Sequence, residues 1–316
     1  MKRITTSLLM LAAFLISGLS AFAEDFLNNP AYIAQTGYGA TKESAENAAL
    51  SAISKFFQMS IEVKAEERTT VTNVGANSTM SEEVFVNSQT ELFAVHYTKP
   101  RFDKKQKQYE VTAYIDREEA WRIYEPKIED SVQNFGQFYS NAISQSDNLS
   151  KIIGLSRASK EAKQSELIKK LDFAMILNPD RAEKYDGTRN KISDIEASTR
   201  RLAKNCSVSV KVSSDYEDRV SKSVKEIFSK IGIKTLNENA EYLCSVEISE
   251  NTQTLPAGTF FTPSFAIQIE KAGEVIYSVS RQLKKIGAKN EAVAKQRTFS
   301  ALAVEIQNSL QSELAF

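Results

Sequence analysis

Gln108-Tyr109-Glu110-Val111-Thr112-Ala113-Tyr114-Ile115-Asp116-Arg117-Glu118-Glu119-Ala120-Trp121 passes from one kind of local structure to another without a break. Residues 108–115 are rich in β-branched and aromatic side chains and read as a strand. Asp116 is a good N-cap, and a helix follows through Trp121, Tyr124 and Ile128, with Pro126 a kink or break in it. A strand feeding directly into a helix, among strands joined by hairpin-length connections, indicates an α+β fold with antiparallel sheets.

Upstream of this stretch the same two chemistries recur. Tyr32 to Gly39 reads as a short strand ending in glycines. Thr41 caps a helix over Lys42 to Met59, with Ala45, Ala48, Ala49, Ala52, Ile53 and Phe56 as its apolar stripe. Small residues on that face permit close approach to a sheet. Ile61 to Glu66 alternates, and Val71-Thr72 continues the β-branched theme, so strand is expected there. Val74 to Ser81 reads as a loop, and Val84 to Tyr97 as the next strand. Lys99 to Lys105 is the hairpin connection to the strand at 108.

Downstream, residues 126–204 carry no strand signal and read as a helical hairpin or short bundle. Leu149 to Leu177 is helix-forming and stops at Asn178-Pro179, and Asp180 opens another helix to about Lys204. Residues 205–316 return to the mixed pattern. Cys206 to Val212 is a strand, Asp215 caps a helix to Lys230, and Gly232 closes it. Ile233 to Leu236, Tyr242 to Ser249, Phe261 to Glu270 and Val275 to Lys285 are strands, and Glu291 to Leu314 is a terminal helix. The expected organisation is therefore two small antiparallel-sheet-plus-helix domains, 31–125 and 205–316, joined by the helical segment.

The chain begins with an address. Lys2 and Arg3 precede an uncharged apolar run from Leu8 to Ile16, and Gly18 to Ala23 supplies the small residues of a cleavage site. This is a secretory signal over 1–23, cut after Ala23, and its core is well short of the roughly 20 residues a membrane span needs. The expected location is the periplasm, with no transmembrane segment after cleavage. The 316 residues hold 40 basic and 40 acidic side chains, a balance that argues against nucleic-acid binding. A hydrophobic fraction of 42% is ordinary for a globular protein.

One histidine and two cysteines exclude multi-histidine metal sites and four-thiolate clusters. Export places Cys206 and Cys244 where a disulfide persists. Both alternate with valines and isoleucines on the apolar face of a strand, so they are either bridged or two buried thiols acting as small hydrophobes. Gly37-Tyr38-Gly39-Ala40-Thr41-Lys42 lies at a strand-to-helix turn but lacks the spacing of a dinucleotide or phosphate loop. The glycines are expected to let the chain turn into the helix. His96 shares a strand face with Leu92 and Ala94, and no serine sits in a nucleophile elbow. No acidic pair or calcium loop stands out, and no cofactor is expected. Arg101, Lys104, Lys105 and Lys107 form a basic tip suited to an acidic partner, anionic headgroups or a wall polymer, or simply a solvated turn.

Two patterns quoted above carry a family resemblance. Gly37-Tyr38-Gly39 before an alanine-rich helix, and the strand ending in Asp116-Arg117 that turns into a helix with Ala120 and Trp121, resemble the bacterial lipoprotein-20 family over residues 31–125. The C-terminal region, with Tyr277 to Ser280 and the helix after Gly287, resembles envelope-assembly domains of curli-secretion and flagellar-assembly accessory proteins. The resemblance implies a non-enzymatic envelope protein whose α+β domain makes contacts, and it implies no catalytic residues. Envelope proteins are the expected partners, with peripheral membrane contact. The lipidated cysteine of lipoprotein-20 proteins is missing here. The alternative is a periplasmic module binding a small ligand, lipid or cell-wall fragment, with Trp121 or Tyr124 as stacking residues.

Overall fold

The computed structural model describes residues 26–72 and 94–314. The signal segment 1–23, the loop 74–81 and the strand expected from Val84 as far as residue 93 lie outside them. The chain forms two compact units. One runs to Ser131 and adds Glu166–Asp186; the other takes Val132–Ser165 and everything from Gly187. The expected helical segment 126–204 is therefore not a block of its own. Its helices are shared between the two units, each covering a different core.

In the first unit, β1 (Tyr32–Gly39) and β4 (Gln108–Asp116) pair antiparallel along their whole length, Tyr32 opposite Asp116 and Gly39 opposite Tyr109. The other side of β4 takes β2 (Val95–Tyr97) and β3 (Arg101–Asp103) in turn. Helix α1 (Lys42–Thr72) covers one face of this sheet. Ala45, Ala49, Ile53, Phe57 and Ile61 recur every four residues and are all buried, so the apolar ladder of a helix reaches the start of the segment expected to be strand. The alternation at 61–66 was compatible with both periods, and the helix wins because Ile61 falls on the buried ladder.

Gly37 shows how close α1 sits. A methyl group on it would lie 2.1 Å from the Ala49 nitrogen and 2.5 Å from the Ala45 oxygen. The glycines of β1 are needed because helix backbone packs on strand backbone, rather than for turning. Helix α2 (Arg117–Ile143) follows β4 directly and continues through Pro126. Its first turns bury Ala120, Trp121 and Ile128, and α4 (Leu167–Leu177) contributes Leu167, Leu171, Phe173 and Leu177. Phe173 stacks on Phe57 at 4.7 Å between ring centroids.

The second unit holds α3 (Asn148–Gln164), which is separated from α4 by Glu166 in the left-handed region, φ 52°. After the short α5 (Pro179–Ala182) and a single 3-10 turn comes α6 (Asp186–Lys204). The sheet comprises β5 (Ser207–Val212), β6 (Lys234–Thr235), β7 (Tyr242–Leu255), β8 (Gly258–Lys271), β9 (Glu274–Gln282) and β10 (Ile286–Ala288). The order is β10-β8-β7-β5-β6, with β9 also on β8. It is mixed rather than antiparallel: β5 runs parallel to both β6 and β7. The reason is α7 (Arg219–Ile231), whose crossover returns the chain in its original direction. The helix starts later than expected, with Asp218 as its N-cap at φ 55°, and the expected cap Asp215 reaches the first turn from three residues upstream, its carboxylate accepting from the Val220 and Ser221 nitrogens at 3.1 and 2.8 Å. Gly232 ends α7 at φ 94°. Val224, Ile227 and Phe228 of α7, Phe299, Leu302, Ile306 and Leu310 of α8 (Glu291–Leu314), and Leu149 and Ile152 of α3 enclose one face of the sheet.

Candidate functional site

The stretch from Asp116 to Trp121 spends every side chain on holding strand, helix and neighbours together. Asp116 Oδ1 accepts from the nitrogens of Glu118 and Glu119 at 2.9 and 3.0 Å, capping α2. Arg117 donates through Nη1 to the Ile176 and Leu177 carbonyls, placing a cation on the C-terminus of α4 where the helix dipole is negative. Burial draws its pKa below the usual arginine value. Glu118 pairs with Arg181 at 3.0 Å, and the Arg181 guanidinium lies 5.9 Å over the ring of the fully buried Trp121. Tyr124 packs on Phe173 at 4.4 Å. Trp121, at 0% exposure, is enclosed and does not present a stacking surface.

Glu119 reaches His96, with 2.7 Å between Oε2 and Nε2, and both side chains are more than two-fifths exposed. The imidazole lies 5.4 Å from the Tyr114 ring. Tyr114 in turn stacks on Phe26 at 4.1 Å, and Tyr32 meets both edge-on. The expected companion Leu92 lies outside the described residues, and Ala94 has φ 60° rather than strand geometry. His96 therefore belongs to an aromatic patch on the side of β4 away from α1. Among the described residues no hydroxyl or thiol is hydrogen-bonded to its ring, so the carboxylate–imidazole pair lacks a nucleophile in line.

Gly39 packs on the first turn of α1, and Thr41 and Ser44 satisfy each other reciprocally. The Thr41 nitrogen donates to Ser44 Oγ at 3.0 Å and the Ser44 nitrogen to Thr41 Oγ1 at 3.1 Å. Those donors are the ones a phosphate would need.

Cys206 and Cys244 are both free and buried. The register explains why they are not bridged. Cys244 lies opposite Val210, four positions along the sheet from Cys206, so roughly 13 Å of strand separates them, against the 4.4–6.8 Å that a disulfide tolerates. Burial pushes each thiol up to about 12, and for Cys206 the carboxylates of Glu241 and Asp147 add to it. Beside Cys206, the Tyr242 hydroxyl donates to Asp147 Oδ1 at 3.2 Å and accepts from the Leu149 nitrogen at 3.3 Å. Burial works against the Asp147 carboxylate, but hydrogen bonds from Ser150 and Tyr242 together hold it below the usual range. This cluster tethers α3 to the sheet.

The basic segment is organised differently from expectation. Arg101–Asp103 is itself a strand, Arg101 opposite Glu110 and Phe102 opposite Tyr109, so the turn is reduced to Lys104–Lys107. Asp103 Oδ1 accepts from the Lys105 and Gln106 nitrogens at 2.7 and 3.2 Å, and Lys107 takes φ 53°. Arg101, Lys104, Lys105 and Lys107 are exposed, and none forms an ion pair among the described residues. Phe102, on β3 beside the turn, is 47% exposed and meets the Tyr109 ring at 5.0 Å between centroids. Sequence reasoning found the cations and missed the phenylalanine; alternation from Arg101 to Asp103, mirrored across the turn by Gln108 to Glu110, was the available signal. On the second unit's sheet, Glu247, Ser249, Ser264, Ala266, Ser280 and Gln282 line an open depression of about 370 Å³.

No helix among the described residues is long and apolar enough to cross a membrane. No family model matches the chain, and no curated protein matches it. Among solved structures, the secreted protein HP1454 of the human pathogen Helicobacter pylori is similar at 13% identity over 91% of this chain and 100% of that one, with a TM-score of 0.37. A minor lipoprotein of Acinetobacter baumannii is similar at 17% identity over 33% of this chain and 84% of its own, TM-score 0.24. Lipoprotein GNA1162 of Neisseria meningitidis matches 33% of this chain and 99% of its own at 13% identity, TM-score 0.22. At these scores the neighbours do not define the fold, which rests on the strand pairing given above.

Proposed function

We propose that this is an exported, non-enzymatic protein of the cell envelope that works by contact, and that the β3–β4 hairpin of its first unit is one contact surface. The observation that carries the reading is the hairpin end itself: four exposed cations, none in an ion pair among the described residues, lie within six positions of a phenylalanine that is 47% exposed. The ring packs on its cross-strand neighbour Tyr109 at 5.0 Å between centroids, and its remaining face is open to solvent beside the cations. Cations with an adjoining apolar ring suit an anionic surface, where the charges draw the tip in and the ring is then removed from water. The leader pattern of residues 1–23 supports export, and the commitment of Asp116, Arg117, Glu118 and Glu119 to internal contacts supports a structural rather than a catalytic role for that motif.

The test is sedimentation of the mature chain with vesicles containing phosphatidylglycerol, with vesicles of phosphatidylcholine alone, and with an anionic wall polymer. Binding to one of the anionic partners, falling with salt and lost in Lys104→Glu/Lys105→Glu, is expected. Equal partition of the charge-reversed and native chains removes the hairpin as a contact surface. In-cell crosslinking through Phe102 that returns no envelope component removes the wider reading.

A further inference from the structure

We infer that the outer half of β7 is a self-association edge, pairing antiparallel with the same strand of a second copy about a two-fold axis at Thr252. The observation is a free stretch of backbone. β5 pairs with β7 only from Tyr242 to Val246. Just beyond, the Ser213 nitrogen donates to the Val246 carbonyl and the Ile248 nitrogen to Ser213 Oγ. From Ser249 to Leu255, β7 runs on paired with β8 alone, and Ser249 and Asn251 to Leu255 are exposed. Among the described residues nothing pairs with its outer edge.

Exposed sheet edges invite pairing, and proteins guard those they do not use with shortness, charge or breaks. The other edges of this sheet are guarded in those ways. β6 is two residues long. The opposite edge carries Glu274 and Arg281 on β9 and is interrupted at Leu283, Lys284 and Lys285 before β10. Asn251-Thr252-Gln253-Thr254-Leu255 carries no charge, proline or glycine. This unguarded run matches itself. Pairing about Thr252 sets threonine against threonine, Asn251 against Gln253, Glu250 against Thr254 and Ser249 against Leu255. Hydroxyls then face one another at the axis, Asn251 meets a Gln253 whose Oε1 accepts from Lys285 Nζ at 2.6 Å, and no two like charges are directly opposed. Such a two-fold contact closes on itself and stops at a dimer. It shares no residue with the β3–β4 hairpin, so the two proposals stand or fall separately.

The mature chain is expected to show a concentration-dependent monomer–dimer equilibrium in sedimentation. Thr252→Lys, which opposes two cations at the axis on an exposed edge, is expected to weaken it about tenfold or more. In a second measurement, Thr252→Cys is expected to give a reducible covalent dimer on mild oxidation, while Ser193→Cys, on the exposed side of α6, is not. The native thiols are buried, so the introduced cysteine reports alone. A native chain that stays monomeric at every concentration, or equal crosslinking through residues 193 and 252, overturns the inference.

Discussion

The two units solve one problem, laying a helix on a sheet, with opposite materials. In the first, Gly37 and Gly39 remove side chains so that α1 rests on strand backbone through Ala45 and Ala49. In the second, Phe265, Ile267 and Ile269 of the sheet meet Phe228 of α7 and Phe299 and Leu302 of α8. Close backbone approach leaves no volume to spare, whereas a core of large side chains has volume to lose. The first is therefore intolerant of added atoms and the second of removed ones.

Deleting bulk from the second unit is expected to have the largest effect. Phe299→Ala empties a position with 0% exposure and should cost about 4 kcal/mol in urea unfolding. A loss below that of an exposed substitution would mean that α8 is not seated as described. Adding one carbon to the first unit comes next. Gly37→Ala drives a methyl group into the Ala49 and Ala45 backbone and should cost about 3 kcal/mol. Gly136→Ala sharpens the contrast: nothing lies within 4 Å of a methyl group there, and in mid-helix the change should add up to about 1 kcal/mol. If both glycine variants behave alike, close packing is not why Gly37 is glycine.

Alkali separates the units by a third route, because both cysteines belong to the second. Their folded-state values, pushed up to about 12, lie above the roughly 8.5 of a free thiol. The stability gained by keeping them protonated is whole below about pH 8.5. It is lost as pH rises toward 12, at about 1.4 kcal/mol per pH unit per thiol, since the unfolded chain releases its protons first. Denaturation monitored from pH 8 to 11 should show the decline, and it should be shallower in Cys206→Ala/Cys244→Ala. Native thiols that react with alkylating reagents at pH 8 would contradict this burial.

Much of the layout was legible before any coordinates. The strand at 108–116, the caps at Thr41 and Asp116, and the stop at Gly232 all stand where local chemistry put them, because each depends on residues close to it in the chain. Sequence and structure part where one pattern suits two structures. Ile61 to Glu66 alternates like a strand, but Ile61 also continues the ladder from Ala45, and only packing against the sheet chooses. In sequence the basic tip shows only its charge, since exposure of Phe102 depends on what β4 and α1 leave uncovered. The partner of His96 was illegible because Glu119 is twenty-three positions away and is brought near by the pairing of β2 with β4.

Residue chemistry and spacing determined on their own that this chain mixes sheet and helix, carries an export pattern, and lacks the histidines and cysteines for a thiolate or imidazole metal cluster. Those properties are local, and no distant contact can alter them. Which strands run parallel, how far apart the two cysteines lie, which glycines are crowded and which sheet edge is left open were decided only when distant segments met. Pairing and close packing join residues that the chain itself keeps far apart, and sequence spacing carries no measure of that distance.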